Sequence, residues 1–124
     1  MIFAAGLGTR LGELTHNKPK ALVEINGIPL LEIAIRRLVF YGFTDIIINV
    51  HHFADQIYEF VLKYKGPARL SVSDERKQLL DTGGGLFNAS WFFHTDEDFL
   101  VYNTDILCDL NLLTLYGNHL KNKP

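Results

Sequence analysis

The chain has 124 residues, of which 48% are hydrophobic and 21% charged, and its formal net charge is -2. Those values describe a globular chain with one core and give no electrostatic case for partners such as nucleic acid or an anionic membrane. No apolar run reaches the roughly 20 residues that span a bilayer, the single Cys108 has no internal disulfide partner, and the first residues lack a signal peptide's basic region, so a cytoplasmic protein is expected.

Met1 to Ala5 is an apolar run that predicts a short strand. It feeds the segment Ala4-Ala5-Gly6-Leu7-Gly8-Thr9-Arg10-Leu11, which is followed by Thr15 and then by Pro19-Lys20. Glycines let the backbone bend and approach an anion closely, and the N–H groups of such a turn point at phosphate oxygens. Arg10 and Lys20 add the cations that neutralise a polyphosphate. The segment is not a Walker loop, because no Gly-Lys-Ser/Thr comes after the glycines. It is not a dinucleotide fingerprint either: Leu11 stands where a third small residue belongs, and Gly12 and Pro19 oppose a long helix. It reads as an extended loop wrapped around an anion.

A short strand is expected over residues 21–25, then a tight turn at Asn26-Gly27. Pro29 suits a first helical turn. Leu31, Ala34, Ile35 and Leu38 then recur at helical spacing, and Gly42 ends that helix. Asp45 to Val50 reads as a buried strand. A second helix carries Ile57, Phe60, Val61 and Tyr64 on one stripe, stopped by Gly66-Pro67. Leu70 to Asp74 is a further strand, leading into the charged run Asp74-Glu75-Arg76-Lys77. Gly83-Gly84-Gly85 is expected to open a short helix over Leu86 to Trp91. Phe99 to Tyr102 reads as a strand that delivers Asn103-Thr104-Asp105 at its carboxyl end, and Leu112 to Leu120 as a last helix. This alternation predicts an α/β fold with a mostly parallel sheet covered on both faces. Ligands of such sheets gather at the carboxyl ends of strands, where the glycine segment, the loop from Asp74 to Gly85 and Asp105 all fall.

The set Gly6, Gly8, Thr9, Arg10, Leu11, Leu14, Thr15, Pro19, Lys20 and Leu22 resembles the signature of the sugar-1-phosphate nucleotidyltransferases: Gly-x-Gly-Thr-Arg-Leu, then Leu-Thr, then Pro-Lys-Pro-Leu. The chain departs from it at Gly12-Glu13, where a proline often stands, and at Ala21, in place of the second proline. The resemblance continues through residues 26–30, through Asp81-Thr82-Gly83-Gly84-Gly85 and to Asn103-Thr104-Asp105, and so covers nearly the whole chain. Within the family it is nearest to the N-acetylmuramate-1-phosphate uridylyltransferases and the mannose-1-phosphate guanylyltransferase-like enzymes.

The resemblance implies a Rossmann-like sheet of the nucleotide-diphospho-sugar transferase type. Residues 1–124 would form its N-terminal, nucleotide-binding part, an incomplete domain that on its own binds nucleotide weakly and turns over poorly. It implies transfer of a nucleotidyl group from UTP or GTP to a sugar 1-phosphate with release of pyrophosphate. Arg10 and Lys20 would hold the triphosphate, and Asp105 would be the ligand for Mg²⁺. Ala5, Gly6, Gly8 and Thr9 would lie along the nucleotide, with Gly84 and Gly85 near the base and Asn103 near ribose or sugar. Such chemistry depends on charge neutralisation and alignment more than on a protein nucleophile.

Each site has a plainer reading. Asp105 could cap the next helix, Lys20 could be an ordinary exposed lysine, and the glycines could be a helix-entry turn. His51-His52 points to opposite faces of an extended chain, which favours packing over a shared ion. Trp91, Phe92 and Phe93 are expected in the core, and Asp96-Glu97-Asp98 and Asp109 in solvent. Two other functions compete: a non-catalytic nucleotide-sensing or assembly subunit with the same fold, and a dinucleotide-binding oxidoreductase, which Leu11 and Pro19 disfavour.

Overall fold

The computed structural model describes residues 1–123. Its strands are β1 (Ile2–Phe3), β2 (Glu24–Ile25), β3 (Ile28–Pro29), β4 (Asp45–Val50), β5 (Arg69–Asp74) and β6 (Tyr102–Asn103). Its helices are α1 (Leu30–Phe40), α2 (Ala54–Lys63), α3 (Asp81–Asn88) and α4 (Leu112–Lys121). Four strands form one parallel sheet in the order β5-β4-β1-β6, and β2 and β3 form a separate antiparallel hairpin. The hairpin turn is Asn26-Gly27, with φ of 51° and 77°, the paired positive angles of a two-residue turn.

Strand β4 is the spine of the sheet. Ile46, Ile48 and Val50 face a core shared with Ile2, with Leu31, Ala34, Ile35 and Leu38 of α1, and with Ala54 and Ile57 of α2. Ile47 faces the other way, into a smaller cluster with Met1 and Ala89, against which Phe3, Leu86, Phe92 and Phe93 pack. An uninterrupted apolar strand is what burial on both faces demands. Helix α1 ends as its sequence predicts: the Gly42 N–H donates to the Val39 carbonyl and the Phe43 N–H to the Leu38 carbonyl, closing the last turn.

Several expectations need correction. Residues 21–25 are not one strand; Lys20–Leu22 is a 3-10 turn and only Glu24–Ile25 is extended. Pro29 lies in β3 and precedes α1, with ψ of 143°. Gly83, Gly84 and Gly85 do not precede a helix; they lie within α3, which ends at Asn88, and Ser90–Phe92 is a separate 3-10 turn. Glycine is a poor helix former, but here close packing against Leu80 and Glu75 outweighs propensity. Of the strand predicted over Phe99 to Tyr102, only Tyr102 joins the sheet, extended by Asn103, although the Met1 amine also donates to the Leu100 carbonyl at 2.6 Å. Trp91 is 66% exposed, so it is not core, whereas Phe92 and Phe93 pack on the smaller cluster.

Helix α4 begins at a side-chain cap: Asn111 Oδ1 accepts from the Leu113 N–H at 3.0 Å and the Thr114 N–H at 3.1 Å. Replacing a capping asparagine by alanine leaves those donors to water and typically costs about 1 kcal/mol. Asn111→Ala is therefore expected to lower the urea midpoint by that equivalent, read by far-UV dichroism; an unchanged midpoint contradicts the cap. No helix among the described residues is long and apolar enough to cross a membrane.

Candidate functional site

The carboxyl ends of β1, β4, β5 and β6 open onto one cavity of about 250 Å³. Ala5 and Gly6 line it from the end of β1, Lys20 from the 3-10 turn, and Asn103 and Asp105 from the end of β6. The polar centre of the wall is an ion pair: Lys20 Nζ donates to Asp105 Oδ2 at 2.5 Å. That hydrogen bond holds the Asp105 carboxyl below its ordinary pKa, against an upward push from burial, and the Arg10 charge is near enough to add to the lowering. Of the three charges expected to converge, Lys20 and Asp105 meet at the cavity wall, whereas Arg10 is exposed and does not line it.

The glycine segment folds as two short 3-10 pieces broken at Gly12, whose φ is 56°. Gly8 has φ of 67°, and a Cβ added there would meet Thr15 Cγ2 at 2.8 Å and Lys20 Cβ at 3.1 Å. Thr15 is buried, and its hydroxyl donates towards the Gly8 carbonyl at 2.9 Å, with the Gly12 carbonyl at 3.2 Å. Gly8 thus packs the loop onto the lysine instead of lining the cavity, and Thr9 is exposed in the turn beside it. Gly8→Ala combines an unfavourable left-handed backbone with that close contact, for an expected loss of about 1–2 kcal/mol. Chemical denaturation measures it; a variant as stable as the parent would show that the loop packs differently.

Gly84 and Gly85 also lie behind the wall rather than on it. A Cβ on Gly84 would meet Leu80 Cβ at 2.9 Å, and one on Gly85 would meet Glu75 Oε1 at 2.7 Å and Asn49 Nδ2 at 3.2 Å. Glu75 and Asn49 do line the cavity, as do Leu79, Asp81 and Thr82 at the α3 end. The reading of residues 74–77 as a charged run missed that Glu75 is 3% exposed; nothing in the run distinguishes it from its neighbours. Asn49 carried a usable signal, a lone amide inside Ile-Ile-Ile-Asn-Val. Thr104 was also missed: it is buried, and its hydroxyl donates to the Phe3 carbonyl at 2.5 Å, fastening the Asn103–Asp105 turn to β1.

Asp74 anchors the neighbouring loop to α2. Burial pushes its carboxyl up, but bonds from the Arg76 N–H and guanidinium, each 2.8 Å, bring it below its ordinary value. Arg76 also reaches Asp55, at 2.8 Å. His51 Nδ1 sits 2.6 Å from the Glu75 carbonyl, while the His52 ring is tilted at 53° against Phe53 and is exposed.

No cluster of three or more His, Cys, Asp or Glu side chains that could hold a metal occurs among the described residues. The cavity instead offers the Asp105 carboxylate with two cationic side chains nearby. That donor set does not suit an all-protein metal cage. It does suit Mg²⁺, which keeps several waters and takes one or two carboxylates together with substrate phosphates. Chemically, the wall presents the Asp105 carboxylate beside the Lys20 ammonium, with the Glu75 and Asp81 side chains on the α3 side and the Arg10 charge outside the lining.

Comparison with known proteins gives a consistent result. The family model described as nucleotidyl transferase matches residues 1–124. An N-acetylmuramate alpha-1-phosphate uridylyltransferase of Caulobacter vibrioides is 46% identical over 92 residues, spanning 72% of this chain and 38% of the relative. A mannose-1-phosphate guanyltransferase of Gibberella zeae is 32% identical over 124 residues, spanning 96% of this chain and 34% of the relative. The crystal structure of HddC from Yersinia pseudotuberculosis complexed with GMP-PN superposes with a TM-score of 0.82 at 32% identity, covering 96% of this chain and 52% of that one. The chain thus spans between a third and about half of the length of these relatives. The likeness agrees with the expected α/β, Rossmann-like architecture. With a family match along its entire length, the chain belongs to the nucleotidyl transferase family.

Proposed function

We propose that residues 1–124 are the N-terminal, nucleotide-binding part of a cytoplasmic sugar-1-phosphate nucleotidyltransferase that uses UTP or GTP. The observation that carries this reading is the convergence of Ala5, Gly6, Lys20, Asn103 and Asp105 on one cavity at the carboxyl ends of parallel strands. The names of the relatives at 46% and 32% identity support uridylyl or guanylyl transfer as the reaction class.

In the proposed reaction a phosphate oxygen of the sugar 1-phosphate attacks the α-phosphorus of the nucleoside triphosphate. A new P–O bond forms, the bond from the α-phosphorus to its bridging oxygen breaks, and pyrophosphate leaves with that electron pair. Lys20 binds the triphosphate and stabilises charge on the phosphoryl oxygens. Arg10 holds the pyrophosphate end, where the N–H groups of Gly8 and Thr9 also contribute. Ala5 and Gly6, which are small, leave room for the nucleoside along the backbone; the start of helix α3, packed closely through Gly84 and Gly85, borders the base, and Asn103 orients the ribose or sugar. Asp105 would hold Mg²⁺, which when bound supplies charge neutralisation at the phosphates. Lys20 must leave Asp105 for that to happen, and the triphosphate provides the lysine with another anion.

Calorimetric titration with UTP and with GTP, each with and without Mg²⁺, tests the reading, alongside a pyrophosphate-release assay with sugar 1-phosphates. Mg²⁺-dependent binding of at least one nucleotide is the expected result. Absence of binding to both, by a folded chain, overturns it.

A further inference from the structure

Strand β1 contributes only two residues to the sheet before the chain passes into the glycine segment. The chain leaves the ladder where one side chain takes over its donors: Asn49 Oδ1, on the adjacent strand, accepts the Ala4 N–H at 2.6 Å and the Ala5 N–H at 3.2 Å. An amide side chain presents either its oxygen or its nitrogen, and only the oxygen can accept. What holds it this way round is the other end. Asn49 Nδ2 donates to Glu75 Oε1 at 2.9 Å, and Glu75 Oε2 accepts the Leu80 N–H at 3.3 Å. Asn49 and Glu75 are 2% and 3% exposed, so water has little access to either. The missing Cβ of Gly85 is what allows the carboxylate to lie there.

We propose that Asn49 and Glu75 act as a positioning pair: the carboxylate fixes the orientation of the amide, and the amide sets the path by which β1 enters the glycine segment. The pair runs from the α3 side of the cavity to the Gly6 side, so a change at Glu75 alters anion binding at the opposite rim. The functional part of this inference rests on the nucleotide reading proposed for the cavity; the positioning part does not.

The chemistry allows a polarity swap. Asn49→Asp alone sets two carboxylates side by side where an amide met a carboxylate, which forces them apart. Adding Glu75→Gln replaces that repulsion by an amide donor facing the new carboxylate. The introduced carboxylate can still accept from Ala4 and Ala5, and the introduced amide oxygen can still accept from Leu80. Every hydrogen bond is kept, with the direction of the central one reversed.

The experiment compares the parent, Asn49→Asp, and the double variant Asn49→Asp with Glu75→Gln. One readout is hydrogen exchange at the Ala4 and Ala5 amides, followed by NMR without ligand. The other is affinity for tripolyphosphate with Mg²⁺. Asn111→Ala, which weakens a helix cap outside the cavity lining, is the control for loss of stability alone. Faster exchange at both amides and tripolyphosphate affinity reduced about tenfold are expected in Asn49→Asp, the size of losing one buried hydrogen bond. Recovery of both is expected in the double variant, with the affinity of Asn111→Ala unchanged. A double variant no better than Asn49→Asp overturns the proposal, as does parental exchange and affinity in Asn49→Asp, or an Asn111→Ala chain that loses tripolyphosphate affinity as well. Should Asn49→Asp fail to fold, a folded double variant supports the pairing and an unfolded one rejects it. If the parent binds no polyphosphate but the exchange pattern is rescued, the nucleotide reading falls and the positioning role stands.

Discussion

Asp105→Asn is expected to abolish Mg²⁺-dependent nucleotide affinity while leaving the fold nearly intact. The substitution keeps the shape of the side chain and removes its charge, so the cavity loses its expected hard anionic ligand. A loss of about a hundredfold in UTP or GTP affinity, equivalent to about 2.7 kcal/mol, is the expected result in the presence of Mg²⁺. The same titration in EDTA should show little difference from the parent. Thermal unfolding is the control. The Lys20–Asp105 pair is partly open to solvent, with side chains 31% and 46% exposed, and such pairs contribute at most about 1 kcal/mol to folding. A small shift in midpoint with a large loss of metal-dependent affinity therefore marks a binding role. The reverse, a large loss of stability with affinity intact, would assign Asp105 a structural one and favour the reading of a non-catalytic assembly subunit.

Ile48→Ala should be the most damaging of the stability changes considered. Ile48 is fully buried, lies opposite Ile2 in β1 and Val72 in β5, and faces the main core beneath α1 and α2. Truncation removes buried methyl and methylene groups and leaves a cavity that a sheet braced from both sides cannot easily close. Losses of about 2–5 kcal/mol accompany substitutions of this type. That is a large fraction of the roughly 5–15 kcal/mol by which single domains are stable. Urea denaturation should show a lower midpoint with an unchanged slope. A loss below about 1 kcal/mol would mean that the core relaxes around the gap, contrary to the dense packing expected of protein interiors.

Local periodicity made α1, β4 and the Asn26-Gly27 turn legible in the sequence, because each depends on spacing along the chain alone. The glycine run did not read correctly. Gly84 and Gly85 stand inside a helix, where Leu80 and Glu75 lie in the space a Cβ would take, and those neighbours are set by the folded structure. The short extent of β6 was equally hidden, since its pairing is with β1, about a hundred residues away. In the site, Lys20 and Asp105 were legible as residue types in a recognisable spacing, and the structure places them in contact. Asn49 and Glu75 were not, because a buried polar pair is defined by two residues 26 positions apart finding each other.

The order of strands has a consequence for how this chain folds, because Ile2 pairs with residues far along the sequence. Ile2 pairs with Ile48 on one side and Tyr102 on the other. The first sheet neighbour of β1 lies nearly fifty residues further along the chain, and its second about a hundred. Helix α1, the β4–β5 ladder and α2 can assemble in the meantime from contacts much closer in sequence. The glycine loop follows β1, so its anchoring depends on long-range pairing that forms after the local elements around it.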